Sequence, residues 1–296
     1  MSDTEQVTAS MDVDNRDAVL LDWLQRQQER KCLHLGVCFR DLECHGFTSS
    51  ATFQQTAISY ALALPRLLAR LLSRQPPRRA QILRGFNGLV KPGEMLLVLG
   101  RPGSGCSSFL KVLSGDIHGI VVGERTKVNY AGIPYRQMHR DFKGESIYLA
   151  ELDVHFSELT LGQTLTFAAS ARENAADSAA ASQATSRDVA VLFGLLGAFD
   201  TKMGNAMIHG VSGGEKRRAS IAEALISGAQ LQCWDNSTRG LDSATAQRFI
   251  ELLRRSTSAL QSTAIMSIYQ ASEAMYNVSN IWETSTLECG SRSREG

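Results

Sequence analysis

The 296-residue sequence predicts an α/β domain built on a largely parallel sheet. Three observations predict it. "GEMLLVLG" (93–100) is a short apolar run ended by glycine, as a strand buried on both faces should be. A glycine-rich turn follows, leading into a helix that starts near Cys106 and carries Phe109, Leu110 and Leu113 inward. Apolar runs and helical stretches then keep alternating along the chain, and no internal repeat interrupts them.

The flanking elements follow in order. Residues 1–16 are rich in Ser, Thr and Asp and predict disorder. Asp17–Lys31 has Val19, Leu20, Trp23 and Leu24 on one side and predicts a short helix. "GVCFRDLECHGF" (36–47) alternates like a strand pair. In 57–72, Arg66 and Arg70 recur at a four-residue spacing that Arg74 continues. That face reads either as a helix lying near a membrane surface or as the solvated side of a packed helix. "SRQPPRRAQ" (73–81) reads as a basic linker, with the compact core beginning at Ile82. Residues 158–200 are helical but broken by the small, polar tract 174–187, read as a surface loop.

Composition narrows the function classes. The net charge is +1, from 31 basic and 30 acidic residues, which points away from a nucleic-acid partner. Cys32, Cys38, Cys44, Cys106, Cys233 and Cys289 include no pair two residues apart, so a zinc ribbon or redox motif is not indicated. A reduced, cytosolic setting follows from that scatter. There is no secretory leader pattern and no run of ~20 apolar residues of the kind a membrane-spanning helix requires.

Three ordered motifs carry the chemistry. "GRPGSGCSSFLK" (100–111) matches the phosphate-loop pattern G-x-x-x-x-G-K-[ST] except that Cys106 stands at the lysine. Gly100, Gly103 and Gly105 let backbone N–H groups turn inward around an anion, beside Ser104 and Ser108, and the next helix points its positive end there. Ser107 keeps the hydroxyl suited to Mg²⁺. "VSGGEKRRASIAEAL" (211–225) places Val211, Ser212, Gly213, Gly214 and Glu215 at a helix start. That stretch is either a second anion site or a plain helix cap. "LQCWDNSTRGLDSATA" (231–246) runs into Asp235, a strand-end carboxylate suited to Mg²⁺ through water, and continues to Gly240, Leu241 and Asp242.

In this order the motifs resemble the nucleotide-binding domain of ATP-binding cassette (ABC) transporters over roughly residues 35–280. The spelling of "ILRGFNGLVKPGEMLLVLGRPGSGCSSFLK", "YLAELDVHFSELTLGQTL" and "WDNSTRGLDSATA" is similar to the first such domain of fungal pleiotropic-drug-resistance (PDR) pumps, which are ABCG-type. The resemblance implies a phosphate-loop NTPase core with an antiparallel β edge and an inserted helical subdomain at about 157–225. It also implies ATP and Mg²⁺ as ligands. The implied partners are a second nucleotide-binding domain, pairing head to tail, and transmembrane domains; drug efflux is the implied activity.

Carried over position by position, the resemblance exposes four departures from a hydrolytic site. Cys106 replaces the lysine, Glu151 falls at the Q-loop glutamine, Asn236 at the glutamate base and Tyr269 at the γ-phosphate histidine. The family's first domain itself carries Cys at the lysine position. A carboxamide cannot accept a proton near neutral pH, and a phenol with a pKa near ~10 is a poor substitute for His. These positions predict a site that binds nucleotide but hydrolyses it poorly, beside an intact signature motif for the partner's site.

Phe47 is a candidate for adenine stacking or, equally, a core aromatic. After "MYNVSN" the resemblance implies an apolar strand, a linker and a membrane domain; the polar tail 281–296 departs from that and reads as a truncated gene product or gene model. Two other readings compete. One is a regulatory module that never hydrolyses. The other, a soluble ABC ATPase, would require the Lys, Glu and His that are absent.

Overall fold

A computed structural model describes residues 3–28, 33–47, 79–101, 103–172 and 179–268. The segments 57–72 and 281–296, the side chain of Phe47 and all of Tyr269 lie outside the described residues. Two sheets organise the chain. The first is antiparallel, in the order β2 (Arg79–Val90), β1 (Val37–Phe47), β5 (Lys127–Tyr130), β6 (Ile133–Pro134), with β4 (Ile120–Val122) also paired to β1. The second is wholly parallel, in the order β3 (Met95–Leu99), β9 (Thr263–Ile268), β8 (Leu231–Asp235), β7 (Ser146–Leu149).

The parallel strands are apolar because both of their faces are covered. Every residue of β8 and β9 is buried. The two-residue period of a strand sends alternate side chains to opposite layers. Trp234, Ala264, Met266 and Ile268 enter one core, while Leu231, Cys233 and Ile265 enter the other. The second core lies between the two sheets and is filled by α2 (Cys106–Ser114). Its Phe109, Leu110, Val112 and Leu113 are fully buried, and Phe109 meets Phe39 edge-on at 5.3 Å. The first core is closed by α4 (Leu161–Arg172), α5 (Ala179–Leu192), α6 (Gly213–Ile226) and α7 (Ser243–Leu260). A short α3 (Tyr135–Asp141) caps the antiparallel edge.

Four local expectations are corrected. Residues 36–47 form one strand, not two. The other half of the pairing comes from β2, with Val37 opposite Val90 and Phe47 opposite Arg79. Register shifts and a positive φ at Asp41 bend β1 partway along, which is why its alternation looked like two short runs. The linker reading of 79–81 gives way to the start of β2. Most of the tract 174–187 read as a loop belongs to α5, because its alanines favour helix and Ser182, Ser186, Val189 and Ala190 turn inward. Ser186 Oγ there meets Thr166 Oγ1 at 2.9 Å.

The N-terminal region also differs. Helix α1 runs Asp3–Gln28, so the expected disorder of 1–16 fails from Asp3 onward. Its anchor is the later half: Leu20, Trp23 and Leu24 join the first core, Arg26 pairs with Asp188 at 2.5 Å and Asp17 with Arg255 at 2.6 Å. Once a helix is nucleated by packing, each further residue adds a hydrogen bond at little cost, so polar residues upstream continue it.

The layering makes a quantitative prediction. Phe109→Ala should lower the unfolding free energy by about 3–5 kcal/mol, because it empties the space between the sheets. Leu89→Ala, on a side chain 62% exposed, should change it by less than ~0.5 kcal/mol. Urea denaturation of both variants is the check.

Candidate functional site

The carboxyl ends of the four parallel strands gather the chemistry. The phosphate loop leaves β3, Asp235 ends β8, and Glu151 follows β7 by two residues. In the registers, Leu99 lies opposite Ile268 and Asp235 opposite Ser267, so β9 ends between β3 and β8. Ligands of open parallel sheets characteristically bind along this edge.

The loop is shaped by its glycines. Gly105 has φ +99° and directly precedes α2 without a side-chain cap, which leaves the first N–H groups of the helix open. A Cβ on Gly100 would collide with Ser104 Oγ and Cys106 Sγ. Cys106 does not project toward the loop's mouth. It is buried, packs in the core between the sheets, and its Sγ lies 3.2 Å from Ser104 Oγ. The side chain at this position therefore packs in the core and carries no cation toward the loop. Ser107 and Ser108 are half-buried on the first turn of α2.

Asp235 is buried and its carboxylate is engaged on both oxygens. Tyr148 donates its O–H to Oδ2 at 2.6 Å, and Ser267 Oγ donates to Oδ1 at 2.7 Å. Burial pushes the Tyr148 phenol well above its usual range, and the hydrogen bond and charge of Asp235 push it further. Tyr148 is thus a fixed donor.

Asn236 sits in the left-handed region at φ +45°, where Asn is tolerated better than most residues. Its N–H reaches Ser267 O at 3.1 Å and Ser267 Oγ at 3.0 Å. Its side-chain amide donates to Glu151 Oε1 at 3.2 Å, and Arg239 pairs with the same oxygen. Two of the four positions singled out by the resemblance therefore touch each other. The carboxylate stands on the β7 side, the amide stands at the strand end, and an arginine neutralises the charge.

Arg217, on the second turn of α6, ties these parts together. Its guanidinium is 3% exposed. It donates to the carbonyls of Ala150 (3.0 Å), Glu151 (3.2 Å), Ser237 (3.0 Å), Asp235 (3.4 Å) and Asn236 (3.2 Å), and to Asp153 Oδ1 (3.0 Å). Next to it His155 is held between Glu223 (3.3 Å) and Ser220 Oγ (2.9 Å). Burial lowers the imidazole's pKa, but the hydrogen bond and charge of Glu223 outweigh it, and the net shift is upward.

The stretch at 211–215 has both features weighed from sequence on one element. Val211 is buried and Ser212 is the N-cap of α6 in a full capping box. Glu215 N–H donates to Ser212 Oγ at 3.3 Å, while Ser212 N–H donates to Glu215 Oε2 at 2.7 Å. These bonds hold the Glu215 carboxyl below its usual range, led by the backbone N–H of Ser212. Gly213 and Gly214 face open space, so nothing within the described residues requires glycine at either position. Gly240 turns at φ +81°, Leu241 is half-buried, and Asp242 caps α7 by accepting from Thr245 N–H at 2.9 Å.

Sequence reasoning missed Tyr148, Ser267, Arg217 and Arg239. Tyr148, Arg217 and Arg239 sit inside the quoted motifs, but only the fold shows what they bind. Tyr148 and Ser267 reach Asp235 from neighbouring strands, a relation no spacing within one motif reveals.

Comparisons with known proteins bear on the family and the fold. The ABC transporter family model matches residues 83–239. The ABC multidrug transporter C of Aspergillus fumigatus is 48% identical over 248 residues, covering 82% of this chain and 16% of that protein. The ABC-type transporter eriD of Hericium erinaceus is 47% identical, again over 82% of this chain and 17% of the relative. The ABC multidrug transporter AFR2 of Cryptococcus neoformans is 45% identical over the same share of this chain and 16% of its own length. The chain thus spans about a sixth of the curated relatives it matches. Among solved structures, the ATP-binding cassette MJ0796, a dimer in a post-hydrolysis state with ADP and Pi, superposes with a TM-score of 0.59. That match has 16% identity and covers 82% of this chain and 90% of the other, so it speaks for the fold.

Two measurements test the site's framework. Arg217→Met should cost about 3–5 kcal/mol, because it strands a carboxylate and several carbonyls, and Arg217→Lys should not rescue it. Amide exchange at residues 150–153 should rise in both variants. For His155, NMR titration should place the pKa above 6.5, and Glu223→Gln should lower it, since burial is then opposed only by the Lys216 carbonyl and the charge of Asp153. By linkage, the stability from this ion pair is complete below pH ~6.5 and fades as pH rises through the raised folded value.

Proposed function

Because this chain belongs to the ABC transporter family, we propose that it is the nucleotide-binding domain of an ATP-driven drug-efflux transporter with a weak hydrolytic site of its own. The observation that carries the second half is the contact among Asn236, Glu151 and Arg239. The position expected to hold a general base presents an amide N–H₂, which donates and cannot take a proton from water. The nearest carboxylate is already occupied by that amide and by a guanidinium.

The residues present suit ATP and Mg²⁺ as ligands. The Gly100–Gly105 cradle and the uncapped start of α2 supply backbone donors for phosphate oxygens, and Ser107 with Asp235 would hold Mg²⁺, Asp235 through water. When bound, Mg²⁺ would neutralise phosphate charge. Cys106 supplies no cation toward it, so charge neutralisation on this side is weaker than a lysine would give.

Two surfaces support the proposed partners. In the extended stretch after β7, Asp153 and His155 turn inward to α6, while Leu152, Val154 and Phe156 stand 79%, 87% and 78% exposed. An apolar row facing out with polar residues facing in suits a docked partner better than water, and helices of a membrane domain fit it. The capping box exposes Ser212 and Gly213 at a helix start, free of neighbours that a second domain's nucleotide would displace. Its Ser212–Glu215 pair would complete a site on that domain. Among the described residues no helix is long and apolar enough to cross a membrane, so attachment to the membrane face would come through such partners. The competing reading is a regulatory module that binds nucleotide and has no hydrolysing partner.

ATPase assays separate them. The chain alone should bind ATP with negligible turnover, and mixing with a second domain that carries intact Lys, Glu and His should stimulate hydrolysis. No stimulation favours the regulatory module; strong turnover by the chain alone overturns the degraded-site reading. Neither Cys106→Lys nor Asn236→Glu should restore activity by itself. The new glutamate would face Glu151 across about 3 Å, a like-charge contact that raises a carboxyl pKa.

A further inference from the structure

Behind the signature helix lies a cavity of about 410 Å³, within the rough 300–1,000 Å³ range of small-molecule sites. Helices α1, α5, α6 and α7 contribute its walls. Its floor is apolar, with Leu20, Phe193 and Phe249 all buried. Four arginines line it as well: Arg16 from α1, Arg218 from α6, and Arg248 and Arg255 from α7. Two carboxylates face the same space, and each has a partner. Asp17 is bound by Arg255 at 2.6 Å, and Glu251 accepts the Gln247 amide at 2.9 Å. Four guanidinium groups and two carboxylates line the cavity, and Arg218 is also within electrostatic reach of Glu215 and Asp242 outside the lining.

Arg218 adds an independent pointer. Its Nε is buried with no hydrogen-bond partner among the described residues. Leaving such a donor unmade costs about 1–3 kcal/mol or more for a charged group, and this one belongs to a residue that lines the cavity.

We propose that this cavity binds an amphipathic anion, its phosphate or carboxylate head held by Arg218 and Arg248 and its apolar tail laid against Leu20, Phe193 and Phe249. Each simpler ligand leaves something unsatisfied. A bare inorganic anion leaves the apolar floor wet, and an uncharged apolar molecule covers guanidinium groups without pairing them. The head could belong to a free amphiphile or to a lipid in a bilayer. A tail seated on the cavity floor must leave the bilayer to reach it, so the ligand is taken as a free molecule. Arg218 also acts electrostatically on Glu215 and Asp242, so an occupant would be felt at the signature cap and at the cap of α7.

Titration calorimetry of the full chain with dodecyl phosphate below its micellar range tests this. One saturable site is expected, with no binding of dodecyltrimethylammonium or of inorganic phosphate, and with ATP failing to displace the probe. Arg248→Glu should weaken binding by about tenfold or more, and Leu252→Trp, which fills the cavity from α7, should do the same. Circular dichroism of each variant establishes that it is folded. Absence of saturable binding overturns the proposal. So does equal binding of the cationic probe, displacement by ATP, unchanged affinity in both folded variants, or binding only to vesicles that contain phosphatidic acid.

Discussion

The buried guanidinium of Arg217 is the constraint on which the rest of the site depends. One side chain satisfies carbonyls from two separate segments, the stretch after β7 and the turn after β8. Both segments are irregular backbone at a sheet edge, where unpaired carbonyls would otherwise face the interior. A charge this deep is tolerable only with its donors satisfied, and Asp153 supplies the countercharge. Because Arg217 sits on the helix capped by Ser212, that cap, the Glu151 segment and Asn236 are set by one rigid element.

That linkage gives Glu151 and Asn236 a common physical setting. They follow the adjacent strands β7 and β8 of one parallel sheet, so a change at one alters the field felt by the other. Glu151 beside a second carboxylate would be strained electrostatically; beside Asn236 and Arg239 it is hydrogen-bonded and neutralised. Cys106, turned into the core, is self-consistent in the same way, since its sulfur packs under Ser104. On the proposed reading, these residues form a stable arrangement without a base.

The legible parts of the sequence were those where local chemistry decides structure. Apolar runs of β3 and β8, the glycine turn before α2 and the Ser212–Glu215 box each act within a few residues. The misread parts were decided by distant contacts. The β1 strand looked like a hairpin because its true partner lies beyond a long intervening segment, at β2. The 174–187 tract looked like a loop because its small side chains pack against α4 and α6, which periodicity within the tract does not reveal. The site followed the same rule: the loop and strand-end residues were readable as motifs, but Tyr148, Ser267 and Arg217 matter only through the fold.

The central claim is that this site holds nucleotide without cleaving it. Its most direct measurement is a single-turnover experiment with γ-labelled ATP at enzyme excess, following the chemical identity of the bound nucleotide by chromatography. The account predicts that ATP remains bound and intact while the label stays on it. Conversion of the bound ATP to ADP with release of labelled phosphate, at a rate typical of a working ABC site, would contradict it.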